Sequence, residues 1–151
     1  MKATFAAGCF WHVEDLLSKT KGVKSTQVGY IGGQLLNPTY EEVCTDKTGH
    51  AEAVEVEYNP DEISYETLLD VFWNNHNPTT LNRQGHDVGI QYRSVIFYHN
   101  DEQKEIAEKS KQKLDKSGRY DRPVVTEIVS TPIFYKAEEY HQKYFEKHGF
   151  S

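Results

Sequence analysis

The segment Ala51–Tyr58 constrains the fold more than any other, because Val54, Val56 and Tyr58 alternate with Glu55 and Glu57. A period of two puts the apolar side chains on one face of a pleated backbone and the charges on the other, the pattern of a half-buried antiparallel strand. Further strands are predicted over residues 3–7, 22–30, 94–98 and 124–130, from short runs rich in β-branched and aromatic residues. Between them, helical signals cover residues 10–20, 64–75, 101–117 and 136–148. The third helix is the best marked: Asn100 as N-cap, Gln103 three residues on, acids in its first turn, lysines later and Gly118 after its end. Val13, Leu16 and Leu17 provide an apolar face for the first, and Gly149 closes the last. Strands interleaved with helices predict an α+β two-layer sandwich, with a mixed sheet, a ferredoxin-like core and helices packed on it.

A chain of 151 residues has the usual length of one domain. We expect residues 1–151 to form one domain that buries roughly 70% of its unfolded surface without disulfides. Two cysteines, Cys9 and Cys44, are too few for a disulfide scaffold and fit a reducing, cytoplasmic setting or a redox use. A net charge of -6, with acids interleaved among the lysines and arginines, argues against nucleic-acid binding. No run reaches the roughly 20 apolar residues of a membrane helix, so a monomer without membrane contact is expected. Ala6-Ala7-Gly8-Cys9 imitates a lipoprotein cleavage site, but too few residues precede it for both a basic and an apolar region.

Two stretches, 31–50 and 77–93, carry no clear periodicity, and long irregular connections in compact domains are commonly functional. Cys9 stands where an apolar strand gives way to a helix, in Gly8-Cys9-Phe10-Trp11. Backbone N–H groups and the macrodipole favour a thiolate there, and Phe10 and Trp11 offer apolar walls, although a buried, inert core thiol fits the position equally. In Thr48-Gly49-His50-Ala51-Glu52 the histidine and glutamate share a strand face that continues as Val54 and Val56. A carboxyl in such surroundings has its pKa raised and stays able to donate a proton, whereas a solvated strand glutamate does not. Tyr40 and Tyr92 lie in the two irregular stretches, where a phenol beside a pocket can hydrogen-bond a developing oxyanion. The seven histidines show no metal-binding spacing, and Glu138-x-x-His141 occurs once where a di-iron bundle needs two. The glycines lack the spacing of a phosphate loop.

Four ordered motifs together resemble the signatures of the type A peptide methionine sulfoxide reductases. They are Gly8-Cys9-Phe10-Trp11, Pro38-Thr39-Tyr40-x-x-Val43-Cys44, Thr48-Gly49-His50-Ala51-Glu52 and Asp87-Val88-Gly89-x-Gln91-Tyr92-Arg93-Ser94, spread over almost the whole chain. The resemblance implies that Cys9 attacks the sulfur of methionine S-sulfoxide, free or in oxidised proteins and peptides, and becomes a sulfenic acid. It further implies that Glu52 supplies a proton to the oxygen, that Tyr40 and Tyr92 polarise it, that Asp87 joins this polar network, and that Phe10 and Trp11 hold the substrate methyl group. No prosthetic cofactor or metal is implied. His12 stands where the family usually has glycine, and a surface histidine on the first helical turn is the plain reading. Many relatives carry resolving cysteines in a C-terminal tail, while Lys147-His148-Gly149-Phe150-Ser151 holds none. Cys44 matches a family cysteine that is not the resolving one. The expected reductant is therefore an external thiol, thioredoxin, glutaredoxin or glutathione, in preference to a Cys9–Cys44 disulfide. Two rival readings remain: a cysteine hydrolase with His50 or His86 as base, and a non-enzymatic binding pocket around an inert Cys9.

Overall fold

The computed structural model describes residues 1–148. The helix end expected at Gly149 lies outside the described residues. The elements run β1 (Lys2–Ala7), α1 (Phe10–Ser18), β2 (Val23–Ile31), α2 (Tyr40–Val43), β3 (Ala51–Tyr58), α3 (Tyr65–Asn74), β4 (Arg83–Gln84), β5 (Asp87–Val88), β6 (Ser94–Tyr98), α4 (Asp101–Lys116), β7 (Glu127–Ser130), β8 (Tyr135–Lys136) and α5 (Tyr144–Lys147). Six strands form one sheet in the order β7-β6-β1-β3-β2-β8, and β4 pairs only with β5. β6 and β7 run parallel and every other neighbouring pair is antiparallel, so the fold is α+β with a mixed sheet.

On one face of the sheet, Phe5, Val28, Tyr30, Val54, Val56 and Ile96 pack against Phe10 and Leu17 of α1 and Tyr65, Leu68, Leu69 and Phe72 of α3. The Phe5 ring lies 5.2 Å from that of Phe72 and 6.1 Å from that of Tyr65. Ala6, Ile31, Ala51, Ala53, Val95 and Phe97 form a second, smaller cluster, against which Phe134 packs. Burial on both faces corrects the half-buried reading of β3: Ala51 to Val54 are buried without alternation, and only the outer half alternates as the sequence suggests. Glu52 is thus enclosed by the core.

The caps place α3 and α4 as expected. Ser64 accepts from the Thr67 N–H, and Asn100 Oδ1 accepts from the Gln103 N–H at 2.8 Å. The helix expected over residues 136–148 is not there. Lys136 joins β8, a short 3₁₀ turn spans Glu139–His141, and Lys143 adopts a left-handed backbone before the four-residue α5. Contacts with β2 outweigh helical propensity. The Ala137 N–H donates to the Val28 carbonyl, and the Gln142 side chain bonds the Val28 N–H and both the Val28 and Ala137 carbonyls. Residues 31–50 contain the short α2, and residues 77–93 contain the β4–β5 hairpin followed by a 3₁₀ turn at Ile90–Tyr92. Among the described residues no helix is long and apolar enough to cross a membrane.

Candidate active site

The chain turns sharply from β1 into α1 at Gly8, whose φ of +93° and close approach to the Gln84 side chain exclude a Cβ. Cys9 follows as the N-cap of α1 without a side-chain capping hydrogen bond, the His12 N–H donates to its carbonyl at 3.2 Å, and the Trp11 and His12 N–H groups pull its pKa down. Those groups favour the thiolate, as the helix N-terminus predicts, but they do not win. Burial pushes the thiol up to about 12, and the charges of Glu52 and Asp87 push in the same direction. The resting nucleophile is a protonated thiol.

Glu52 reaches the same corner from β3, directly across from Tyr30 of β2. It is only 1% exposed. Its Oε1 accepts from the Phe10 N–H at 3.3 Å, whereas Oε2 is buried without a hydrogen-bond partner among the described residues. Burial raises its pKa to about 8, the Phe10 N–H opposes the shift, and Asp87 adds to it. At neutral pH this carboxyl carries a proton and has nothing to give it to. Burial as strong as this is what the shared strand face of Glu52, Val54 and Val56 predicts.

Two loops close over this corner. Tyr40 begins α2 behind a Thr39–Glu42 capping box, and Cys44, an exposed thiol at the end of the same turn, acts on its phenol. The β4–β5 hairpin carries Asp87, and the turn after it carries Tyr92. Asp46 Oδ1 accepts from the Ile90 N–H at 3.1 Å and ties one loop to the other. Burial is the main cause that keeps both phenols protonated, with Cys44 acting on Tyr40 and Asp87 on Tyr92. Cys9, Glu52, Tyr40, Asp87, Tyr92 and Cys44 therefore share one electrostatic neighbourhood.

The two aromatics after Cys9 differ. Phe10 is fully buried, with ring centroids of His141, Tyr30 and Tyr40 at 5.2, 5.8 and 6.5 Å. Trp11 is half-buried, stacks on Tyr144 at 3.8 Å and donates from Nε1 to His141 Nδ1 at 2.9 Å. His50 has no part in the chemistry of Cys9. Its Nδ1 accepts from the Gly33 N–H at 3.0 Å, which makes Nε2 the donor to the Leu35 carbonyl at 2.7 Å. His86 is exposed, and the groups acting most strongly on Cys9 include no histidine, so the hydrolase reading lacks its base.

Three residues around the site escape sequence reasoning. Glu14 of α1 accepts from the Thr26 hydroxyl at 2.8 Å and from the Lys143 N–H. Glu138 bonds Tyr30 and Tyr40, and His141 bonds Trp11. The Glu138-x-x-His141 spacing is visible in the sequence, but as a hydrogen-bonding pair it has no local signature.

A thiol beside a protonated carboxyl, under phenols and with aromatics around it, suits reduction of a polar oxygen on an apolar substrate. Comparison with known proteins agrees. Residues 1–150 match the family model for peptide methionine sulfoxide reductase. A peptide methionine sulfoxide reductase MsrA of Methanosarcina mazei is 64% identical over 149 residues, covering 99% of this chain and 71% of that protein. The structure of reduced Mxr1 from Saccharomyces cerevisiae superposes with a TM-score of 0.90 at 36% identity, over 100% of this chain and 87% of that one. Mxr1 in complex with Trx2 gives a TM-score of 0.65 at 29% identity, over 95% and 84%. Sequence match, shared fold and the composition of the site converge, and this chain belongs to the peptide methionine sulfoxide reductase family.

Proposed function

We propose that Cys9 and Glu52 act as one proton-coupled pair in the reduction of methionine S-sulfoxide, and the unpartnered Glu52 Oε2 is the observation that carries this reading. The sulfoxide oxygen is a poor leaving group until protonated, and a buried neutral carboxyl is a suitable donor. Glu52 passes its proton to that oxygen while Tyr40 and Tyr92 donate hydrogen bonds to it, and Asp87 completes the polar surround. Cys9 Sγ attacks the substrate sulfur and its own proton returns to Glu52. The hydroxyl then moves from the substrate sulfur to Sγ. Methionine leaves two electrons richer, Cys9 is a sulfenic acid, and the carboxyl is protonated as at the start. Because the Cys9 proton goes to Glu52, the charge that most opposes a Cys9 thiolate is neutralised as the thiolate forms. Phe10 backs the pocket from the core and Trp11 forms its half-exposed wall for the methyl group.

A dithiol reductant of the thioredoxin class then attacks the sulfenic acid, releases water and takes the disulfide on itself. The complex of the related Mxr1 with Trx2 supports that partner. Both cysteines are free thiols here, which fits a reducing, cytoplasmic setting. For the fold, the β1-α1-β2-β3-α3-β6 succession and the order β6-β1-β3-β2 support one domain over residues 1–151 with a ferredoxin-like core.

Intact mass after one turnover without reductant tests the pathway. Cys9→Ser is expected to form no methionine, and persistent turnover in that variant sinks the mechanism. Wild type is expected to gain one oxygen. A loss of two hydrogens instead places the oxidation in a Cys9–Cys44 disulfide.

A further inference from the structure

Tyr40 has a task that its surroundings in the sequence cannot secure. It stands at the start of a four-residue helix within a long irregular connection between β2 and β3. A single turn of helix does not hold a shape by itself. The anchor comes from the far end of the chain. Glu138 Oε2 accepts from the Tyr40 N–H at 3.0 Å, and Oε1 accepts from the Tyr30 hydroxyl at 2.8 Å. Tyr30 belongs to β2 and is fully buried, so one carboxylate links the long β2–β3 connection to the sheet. The segment around Glu138 is stitched to β2 by Tyr135, Lys136, Ala137 and Gln142, and the His141 ring meets the Tyr40 ring at 4.4 Å. Burial raises the Glu138 pKa, but the N–H groups of Tyr40 and of Glu138 itself and the Tyr30 hydroxyl outweigh it, so the acceptor stays ionised.

We propose that Glu138 is a positioning residue of this reductase, holding the Tyr40 phenol at the sulfoxide oxygen by clamping the Tyr40 backbone to Tyr30. It acts through Tyr40 and touches no substrate atom. The inference rests on the reading that Tyr40 polarises that oxygen. A donor displaced by about 1 Å loses up to 10²-fold in rate, which sets the scale.

Single-turnover rates on a methionine sulfoxide peptide, measured for wild type, Tyr40→Phe, Glu138→Ala and the double variant, test it. Glu138→Ala is expected to slow the reaction about tenfold on that scale. In the Tyr40→Phe background the same change is expected to add little, since the donor it positions is already gone. Glu138→Gln is expected to restore most of the rate, because its oxygen accepts from Tyr40 and its amide donates to the Tyr30 oxygen. Should Glu138→Ala not fold, Glu138→Asp, too short to span both partners, takes its place in the cycle. A wild-type rate in Glu138→Ala, a loss that multiplies in the double variant, or no rescue by Gln overturns the proposal. A wild-type rate in Tyr40→Phe removes Tyr40 from the chemistry and the inference with it, whereas a slow Tyr40→Phe beside a normal Glu138→Ala removes the inference alone.

Discussion

Two buried glutamates, Glu14 within α1 and Glu52 bonded to the first N–H of that helix, differ in one respect. Glu14, 2% exposed, has both oxygens engaged, by the Thr26 hydroxyl and the Lys143 N–H. Glu52, 1% exposed, has one oxygen on the Phe10 N–H and the other on nothing among the described residues. Equal burial therefore produces two kinds of carboxyl. The satisfied one joins the C-terminal segment to α1 and β2; the unsatisfied one keeps a proton beside a thiol. An orphaned polar atom in a native core is costly, and its persistence points to a substrate that supplies the missing partner.

The sharpest way to break this contrast is to remove the acid at Glu52. Glu52→Gln is expected to lower the single-turnover rate about 10²- to 10³-fold without unfolding the protein. In wild type the rate is expected to fall as pH rises through about 8, because the ionised carboxyl has no proton to give and its charge pushes the Cys9 thiol further up. A pH–rate profile in which Glu52→Gln keeps that alkaline limb assigns the titration to another group. Glu14→Ala is the counterpart. It strands two donors, Thr26 Oγ1 and the Lys143 N–H, and is expected to cost about 2–4 kcal/mol in denaturant unfolding. A stability equal to wild type there removes Glu14 from the structural role.

A smaller effect separates the two glutamates by stability alone. The folded pKa of Glu52 is raised to about 8, above the roughly 4.3 of an unfolded chain, so its protonation favours the folded state. That contribution is complete below the unfolded value and is lost as pH rises to about 8. Glu52→Gln is thus expected to gain on wild type between pH 4 and 8, by on the order of 3–4 kcal/mol at pH 7, and no further well above pH 8. Unfolding curves that stay parallel across that range exclude a buried, raised Glu52. The least of the expected effects is at Tyr92: Tyr92→Phe removes one of two donors and is expected to slow turnover about tenfold, with little change in stability.

Legibility in the sequence followed the range of the forces involved. The caps of α4, the alternation in the outer half of β3 and the strand-to-helix junction at Cys9 are local, and each is found where the residues suggest. Glu52 is readable because a strand has only two faces and Val54 and Val56 put it on an apolar one, although at this end of β3 the other face is buried as well. The 136–148 segment was misread because its lysines and glutamates resemble a solvated helix, whereas Ala137 and Gln142 satisfy β2 instead. Nothing in the residues around Glu14 marks it as buried, and its partners, the Thr26 hydroxyl and the Lys143 N–H, are brought to it by the fold.

The sequence by itself determined the family and most of the elements and singled out Cys9 and Glu52 as candidates, because these depend on spacing along one or two turns or strands. Tertiary structure decided the rest. It made Cys9 a resting thiol where the helix N-terminus alone favours a thiolate, since burial outweighs the pull of the Trp11 and His12 N–H groups. It also decided which of two buried glutamates keeps an unpartnered oxygen among the described residues, since whether an oxygen finds a partner depends on residues as far as Lys143 is from Glu14.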